Sequence, residues 1–139
     1  MVDAQLSDCA RTLARLARIL ERACCELTLS QYRVLALVAR GDERASHLAG
    51  RLALAKPTIT AAVDALVEHG LMTRSEVEGD RRAVRLAITP EGNAALARTE
   101  EAMAGGLGPL VNACAHPDLV IQAFAELEAA LDARLVARQ

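Results

Sequence analysis

The sequence predicts a mainly α-helical chain with one small β-hairpin, and three observations predict it. Of its 139 residues 53% are apolar, yet Tyr32 and Phe124 supply all the aromatic rings, so the core is left to Ala, Leu and Val, which favour close-packed helices. Apolar residues recur at steps of three and four at both ends of the chain, the spacing of one helix face. Between Leu71 and Ile88 the period drops to two, as in a hairpin with one face buried. An aromatic-rich β-sandwich is excluded, and the length suits one domain with helical extensions rather than two enzyme-sized lobes.

In the first segment, residues 1–27, Leu6, Cys9, Leu13, Leu16, Leu20, Ala23 and Leu27 form one apolar seam, and Arg11, Arg15, Arg18 and Arg22 occupy the other faces. Residues 28–92 read as three short helices and a hairpin. Thr28 with Gln31 is a capping-box pair, and Tyr32, Leu35 and Val38 make a helix ending at Gly41-Asp42. A second helix covers Ser46 to about Leu52, with Leu48, Ala49 and Leu52 as its apolar face. Pro57, at a first helical position, opens a third that runs to His69 and is stopped by Gly70. The hairpin follows: Leu71 to Val77, a turn at Glu78, Gly79 and Asp80, then Val84, Leu86 and Ile88 alternating with Arg85 and Ala87.

Thr89-Pro90-Glu91 is a helix start, with Thr as cap, Pro at the first position and an acid in the first turn. Residues 93–139 then hold two helices. The first runs through Leu96 toward Met103 and is expected to kink or end at Gly105, Gly106, Gly108 and Pro109, because Gly costs about 1 kcal/mol and Pro about 3 in a helix interior. Pro117 and Asp118 open the second, whose seam is Val120, Phe124, Leu127, Leu131 and Leu135. The terminal seams, with Leu6, Leu13, Leu16 and Leu20 at the front, are expected to pack helix to helix within the chain and across a two-fold axis.

Helix, turn, helix and a two-stranded hairpin with a basic tip is the winged helix-turn-helix order, flanked here by N- and C-terminal dimerisation helices. Its physics is DNA binding, because a helix fits the major groove while a hairpin reaches the neighbouring minor groove. At 100° per residue Ile59, Val63 and Leu66 share one buried face of the third helix. Pro57, Ala61, Asp64 and Glu68 then point outward, with Thr58 and Thr60 on the flanks. Lys56, Thr58 and Thr60 are placed to approach phosphates and base edges, and Ala61 to offer a methyl to thymine. Asp64 and Glu68 face repulsion, so the helix is expected to enter by its N-terminal end.

The formal net charge of −2 conceals a distribution. Residues 28–92 hold nine Arg or Lys against eight Asp or Glu, residues 1–27 four against four, and residues 93–139 three against six. Arg51, Lys56, Arg74, Arg81, Arg82 and Arg85 gather on the reading helix and the wing, and a local patch binds phosphate whatever the total charge. Ser46, at the start of the second helix, joins the expected contact set.

The residues now carry a resemblance. Gly79 to Gly92, GDRRAVRLAITPEG, is similar to the wing signature of MarR-type (multiple-antibiotic-resistance) transcriptional regulators, matched by Asp80, Arg82, Leu86, Ile88, Thr89 and Gly92. LTLSQYRVLALV resembles the family's second helix, and SHLAGRLALAKPTITAAVDALVEHGLMTR its helix-turn-helix. The likeness implies that Arg82 enters the minor groove, that Asp80 pairs with it and holds its angle, and that Arg81 and Arg85 serve phosphates. It implies a homodimer on double-stranded DNA with a pseudo-palindromic operator, a repressor of its own or neighbouring genes, released by a small anionic or phenolic effector or by thiol oxidation. Two features depart from the family pattern. Ala61 stands where many members carry a larger polar or basic residue, which shifts weight to shape readout by the wing. Residues 105–116 interrupt what is usually one long helix.

Cys9 lies roughly where the hydroperoxide-sensing members keep a reactive thiol, and Thr58-Ile59-Thr60 is also like theirs, but their surrounding tyrosines are missing from this first helix. A redox regulator of the same fold is therefore the alternative reading, with a protein-interaction module third. Cys9, Cys24, Cys25 and Cys114 lack zinc spacing and are expected to be reduced and mostly buried, the adjacent pair in helical sequence. His47, His69 and His116 are scattered, so no metal and no cofactor is expected. Catalytic motifs are not found, and an enzyme is not expected. No apolar run approaches the roughly 18 residues of a membrane helix, and charges interrupt the N-terminus, so a cytoplasmic protein without membrane contact is expected.

Overall fold

The chain builds six helices and one hairpin: α1 (Ala4–Ala23), α2 (Leu29–Ala39), α3 (Ala45–Leu52), α4 (Lys56–Glu68), β1 (Met72–Val77), β2 (Asp80–Ile88), α5 (Pro90–Asn112) and α6 (Pro117–Val136). The structure is a computed structural model and describes residues 3–41 and 44–137, apart from the side chain of Arg81. Among these residues no helix is long and apolar enough to cross a membrane.

One cluster of small and aliphatic side chains organises the middle of the chain. Val34 and Leu35 of α2, Leu48 of α3, Ile59, Val63 and Leu66 of α4, Met72 of β1 and Leu86 of β2 bury together. The 3.6-residue pattern of α4 selects Ile59, Ala62, Val63 and Leu66 for this face. The two-residue pattern of β2 selects Leu86, with Val84 and Ile88 half-buried and Arg85 and Ala87 exposed. The Thr28–Gln31 capping box that starts α2 forms as expected, its two bonds at 3.0 and 3.1 Å. Gly79, at φ +82°, turns the hairpin.

The hairpin is held to α5 by a tight junction. Thr89 donates its hydroxyl to the Gly70 carbonyl at 2.7 Å and its backbone N–H to the Leu71 carbonyl at 3.1 Å. Its Oγ1 accepts from the Gly92 N–H at 3.0 Å, capping α5. A Cβ on Gly92 would lie 2.0 Å from the Leu71 carbonyl oxygen and 2.7 Å from Ile88 Cγ1, so only glycine allows this approach.

Three expectations need correction. α5 does not end at Gly105–Pro109 but continues, with Pro109 inside it, to Asn112. α1 packs along it, and Gly106 sits where a Cβ would be 3.1 Å from Ile19 Cγ2, so packing against a neighbouring helix outweighs intrinsic propensity. Leu27 is not on the α1 seam. The Cys24 N–H closes the last turn on the Leu20 carbonyl, the chain bends, and Leu27 turns into the central core at 4% exposure, a larger apolar burial than another turn of surface helix offers. Cys24 and Cys25 accordingly lie beyond the helix, and the cysteines are not buried, since Cys9, Cys25 and Cys114 are exposed and Cys24 half-exposed.

α1 and α6 contain no buried residue. Leu6 and Leu13 stand open on α1, as do Phe124, Leu127 and Leu131 on α6, while Leu16, Leu20, Val120 and Leu135 are partly covered.

Gly92→Ala is expected to cost about 3 kcal/mol through overpacking against the Leu71 carbonyl, read as a lower urea midpoint. Gly105→Ala, whose Cβ meets nothing within 4 Å, is expected to gain about 0.5 to 1 kcal/mol by stiffening the unfolded chain. A loss at Gly105 instead would mean that another surface packs on it.

Candidate nucleic-acid interface

α4 separates its residues into a core face and an open face. Ala55 is its N-cap, with no side-chain cap, and a proline fills its first turn, so Lys56, Pro57, Thr58, Thr60 and Ala61 present an uncrowded and exposed N-terminal end. Beside it Ser46 of α3 is exposed and lines a cavity of about 200 Å³ with Lys56, Thr60, Asp64 and Arg74. A second opening, shared by Thr28, Ser30 and Gln31 with Pro57, Thr58 and Ala61, brings the start of α2 alongside the same helix end. Sequence spacing held no sign of that neighbour, since it is set by how α2 crosses α4.

Arg74 of β1 is not a loose phosphate contact. Its guanidinium donates to Asp64 of α4 at 2.5 Å, joining the hairpin to that helix. The same pair alters the expectation for Asp64: its carboxylate is matched by a guanidinium where repulsion was foreseen.

The wing carries an irregularity that sequence periodicity cannot show. Glu76 pairs with Val84 and Val77 with Asp80, so Arg81, Arg82 and Ala83 fall in a bulge opposite a single step of β1. Bulges re-aim side chains, and Arg82 is exposed there. Asp80 accepts from the Arg82 backbone N–H at 3.0 Å, which makes it a turn cap and not a clamp on the guanidinium. A short carboxylate two residues back reaches its neighbour's backbone before it reaches the end of a long side chain. The tip also holds Glu76 and Glu78, so it is of mixed charge and not uniformly basic. Arg81 runs through β2, with its side chain outside the described residues. Arg85 is exposed, opposite Ser75 in the hairpin and bridged to the backbone of Arg44 on its other side, a short third pairing that the sequence did not announce.

Arg51 does not join this group. It ends α3 and lines an opening with Arg40, Leu52, Leu131, Asp132 and Leu135, toward the C-terminal half of α6.

Long-range polar links tie these parts to the flanking helices. Arg98 of α5 grips Glu26 through two bonds of 2.7 and 3.0 Å. The Tyr32 hydroxyl donates to Glu100 at 3.2 Å, and Arg40 bonds Glu128 of α6 at 3.3 Å. Burial, followed by the Glu100 carboxylate, raises the Tyr32 pKa. The hydrogen bond from Arg98 holds the Glu26 carboxyl below its usual range against a smaller opposing push from desolvation. Among the described residues no cluster of three or more His, Cys, Asp or Glu is placed to hold a metal.

Two helices joined by a turn and followed by a hairpin against a third helix define a winged helix-turn-helix. Residues 27–84 match the model of the MarR family. Over 100 aligned residues it is 32% identical to the HTH-type transcriptional regulator PecS of Dickeya dadantii (strain 3937), covering 65% of this chain and 60% of that protein's length. Among solved structures, the transcriptional repressor CouR bound to a 23-mer DNA duplex superposes with a TM-score of 0.75 at 24% identity, over 91% of this chain and 95% of that one. CouR from Rhodococcus jostii RHA1 bound to p-coumaroyl-CoA superposes at 0.73 and 22%, over 93% and 92%. At these identities the structural matches establish the fold.

A carboxyl held low in the folded chain contributes stability above its unfolded pKa, about 4.3, and that contribution is lost as pH falls through the lower folded value. The urea midpoint of the wild type should therefore fall more steeply below that pH than that of Glu26→Gln. The difference will be small because the pair is exposed to solvent, and equal slopes would mean that the Arg98 contact does not persist.

Proposed function

We propose that the chain is a homodimeric, sequence-specific DNA-binding transcriptional regulator, a repressor of its own or neighbouring genes. Residues 28–92 read the DNA, and residues 1–27 and 93–139 supply the dimerisation helices. The observation that carries the proposal is the joint exposure of the α4 N-terminal end and the Arg82 bulge on elements held together by the shared core, with the Arg74–Asp64 pair between them. Lys56, Thr58 and Thr60 approach the major groove with Pro57 and Ala61 at its floor. Arg82 enters the minor groove, and Ser46, Arg81 and Arg85 meet phosphates. Arg74 acts by neutralising Asp64, and Arg51 stays at the margin. One copy offers few contacts, so two copies on a pseudo-palindrome are needed for specificity. The open seams of α1 and α6 fit a partner copy: Leu6 and Leu131 are 64% and 61% exposed here, a poor state for leucines in water. The DNA complex of CouR supports the DNA reading, and its complex with p-coumaroyl-CoA supports release by a small effector.

The test is a footprint on DNA upstream of the protein's own gene, followed by operator titration. Arg82→Ala should cost about 1 to 3 kcal/mol of operator affinity with circular dichroism and dimer unchanged. Wild-type affinity in that variant would reject the wing assignment. Lys56→Ala should weaken all duplexes alike and lower the salt slope by about one. A change of base preference would make Lys56 a base contact.

A further inference from the structure

Cys24 and Cys25 occupy the junction where α1 passes the chain to α2. α1 ends at Ala23, and Cys24 is its C-cap at φ −74° and ψ 85°, so the pair lies in bent backbone with freedom that a helix would deny it. Both side chains line one opening of about 480 Å³, with Glu21, Ser30 and Gln31 on its rim. The next residues are all anchors: Glu26 is gripped by Arg98, Leu27 is in the core, and Thr28 caps α2. Adjacent in the chain and lining the same opening, the two thiols are available to one bridging atom.

Three chemistries compete for such a pair. A direct disulfide is disfavoured because neighbouring Cα atoms across a trans peptide are about 3.8 Å apart, below the roughly 4.4 to 6.8 Å that relaxed disulfides span. A divalent metal is disfavoured because no third ligand joins the pair among the described residues. A single bridging atom larger than sulfur removes the first obstacle, and one that needs only two thiols removes the second.

We propose that Cys24 and Cys25 form a two-thiol site for a trivalent organoarsenical of the R–As=O class, and that filling it weakens operator binding. Two As–S bonds form, the As=O and both S–H bonds break, and one water leaves with the oxygen and both protons. Arsenic remains trivalent and nothing is oxidised or reduced. The substituent R occupies the opening. Closing a ring across residues 24 and 25 fixes torsions immediately before Glu26, which bonds Arg98 of α5, and Leu27, which is anchored in the core. The regulatory half rests on the DNA-binding function proposed above; the site itself does not.

The experiment uses the full chain and phenylarsine oxide, in a Cys9→Ser/Cys114→Ser background that leaves only the pair. Intact mass should show one phenylarsenic group bound with loss of water, removed by excess 2,3-dimercaptopropanol but not by a monothiol. Operator affinity should fall about tenfold or more. Adding Cys24→Ser or Cys25→Ser should abolish the monothiol-resistant adduct. Persistence of that adduct in either variant would overturn the site, and an adduct that leaves operator affinity unchanged would overturn the coupling. The unloaded protein is titrated in parallel. If it fails to bind DNA, the DNA-binding reading falls, while the mass measurement still decides the site.

Discussion

The arrangement depends on the close approach of Gly92 to the Leu71 carbonyl, with Thr89 bonded on both sides of the gap. Thr89 satisfies the carbonyls of Gly70 and Leu71, which would otherwise end β-structure unpaired, and caps α5 with the same hydroxyl. The two Thr89 bonds act together with the packed Gly92 contact, so this junction is fixed in a way that the exposed ion pairs are not. Through it the end of α4, the base of the wing and the start of α5 become one body. The wing can present Arg82 reproducibly because its base is locked there, although its tip is held mainly by the turn cap of Asp80.

Electrostatics then work locally. A chain with net charge −2 and an acid on α4, the helix proposed to read DNA, is a poor candidate for a phosphate-binding surface by bulk charge. The Arg74–Asp64 pair removes that difficulty by taking the acid out of the count where it matters. It also couples the wing to α4, since a displacement of β1 leaves the Asp64 carboxylate without its guanidinium. Neither effect follows from adding charges along the sequence, because ten residues and a change of secondary structure separate the partners.

Elements with strong local causes were legible in the sequence. Thr28 and Gln31 gave the capping box, Pro57 and Gly70 bounded the reading helix to within a residue or two, and the alternation of Val84, Leu86 and Ile88 gave the buried face of the wing. The resemblance to the MarR wing drew on Thr89 and Gly92, and the structure supplies the physical reason for both. What failed was decided by partners distant in sequence. The glycines of α5 looked like a break until α1 was laid against Gly106, and Leu27 looked like a seam residue until the core claimed it. Glu26–Arg98, Tyr32–Glu100 and Arg40–Glu128 join residues 72, 68 and 88 apart, distances over which neither period nor motif carries information. The bulge at Arg82 was illegible for a different reason: three extra residues in one strand leave the alternation on either side looking regular.

These contrasts locate where the molecule can yield. The contacts at Thr89 and Gly92 are short, backbone-directed and packed, and the core of α2, α3, α4 and the hairpin is continuous with Leu96 of α5. The other links to α5 and α6 are exposed polar pairs, each worth about 0 to 1 kcal/mol. A ligand need only bind one arrangement better than the other by a few kcal/mol to shift such an equilibrium. Breaking the Thr89 junction would demand more, and would dismantle the wing with it. Under the proposed function, a regulatory movement carries the hairpin, α4 and the first turns of α5 together and bends the chain at the α1–α2 connection. Cys24, Cys25 and Glu26 lie at that connection, in the non-helical backbone between α1 and α2.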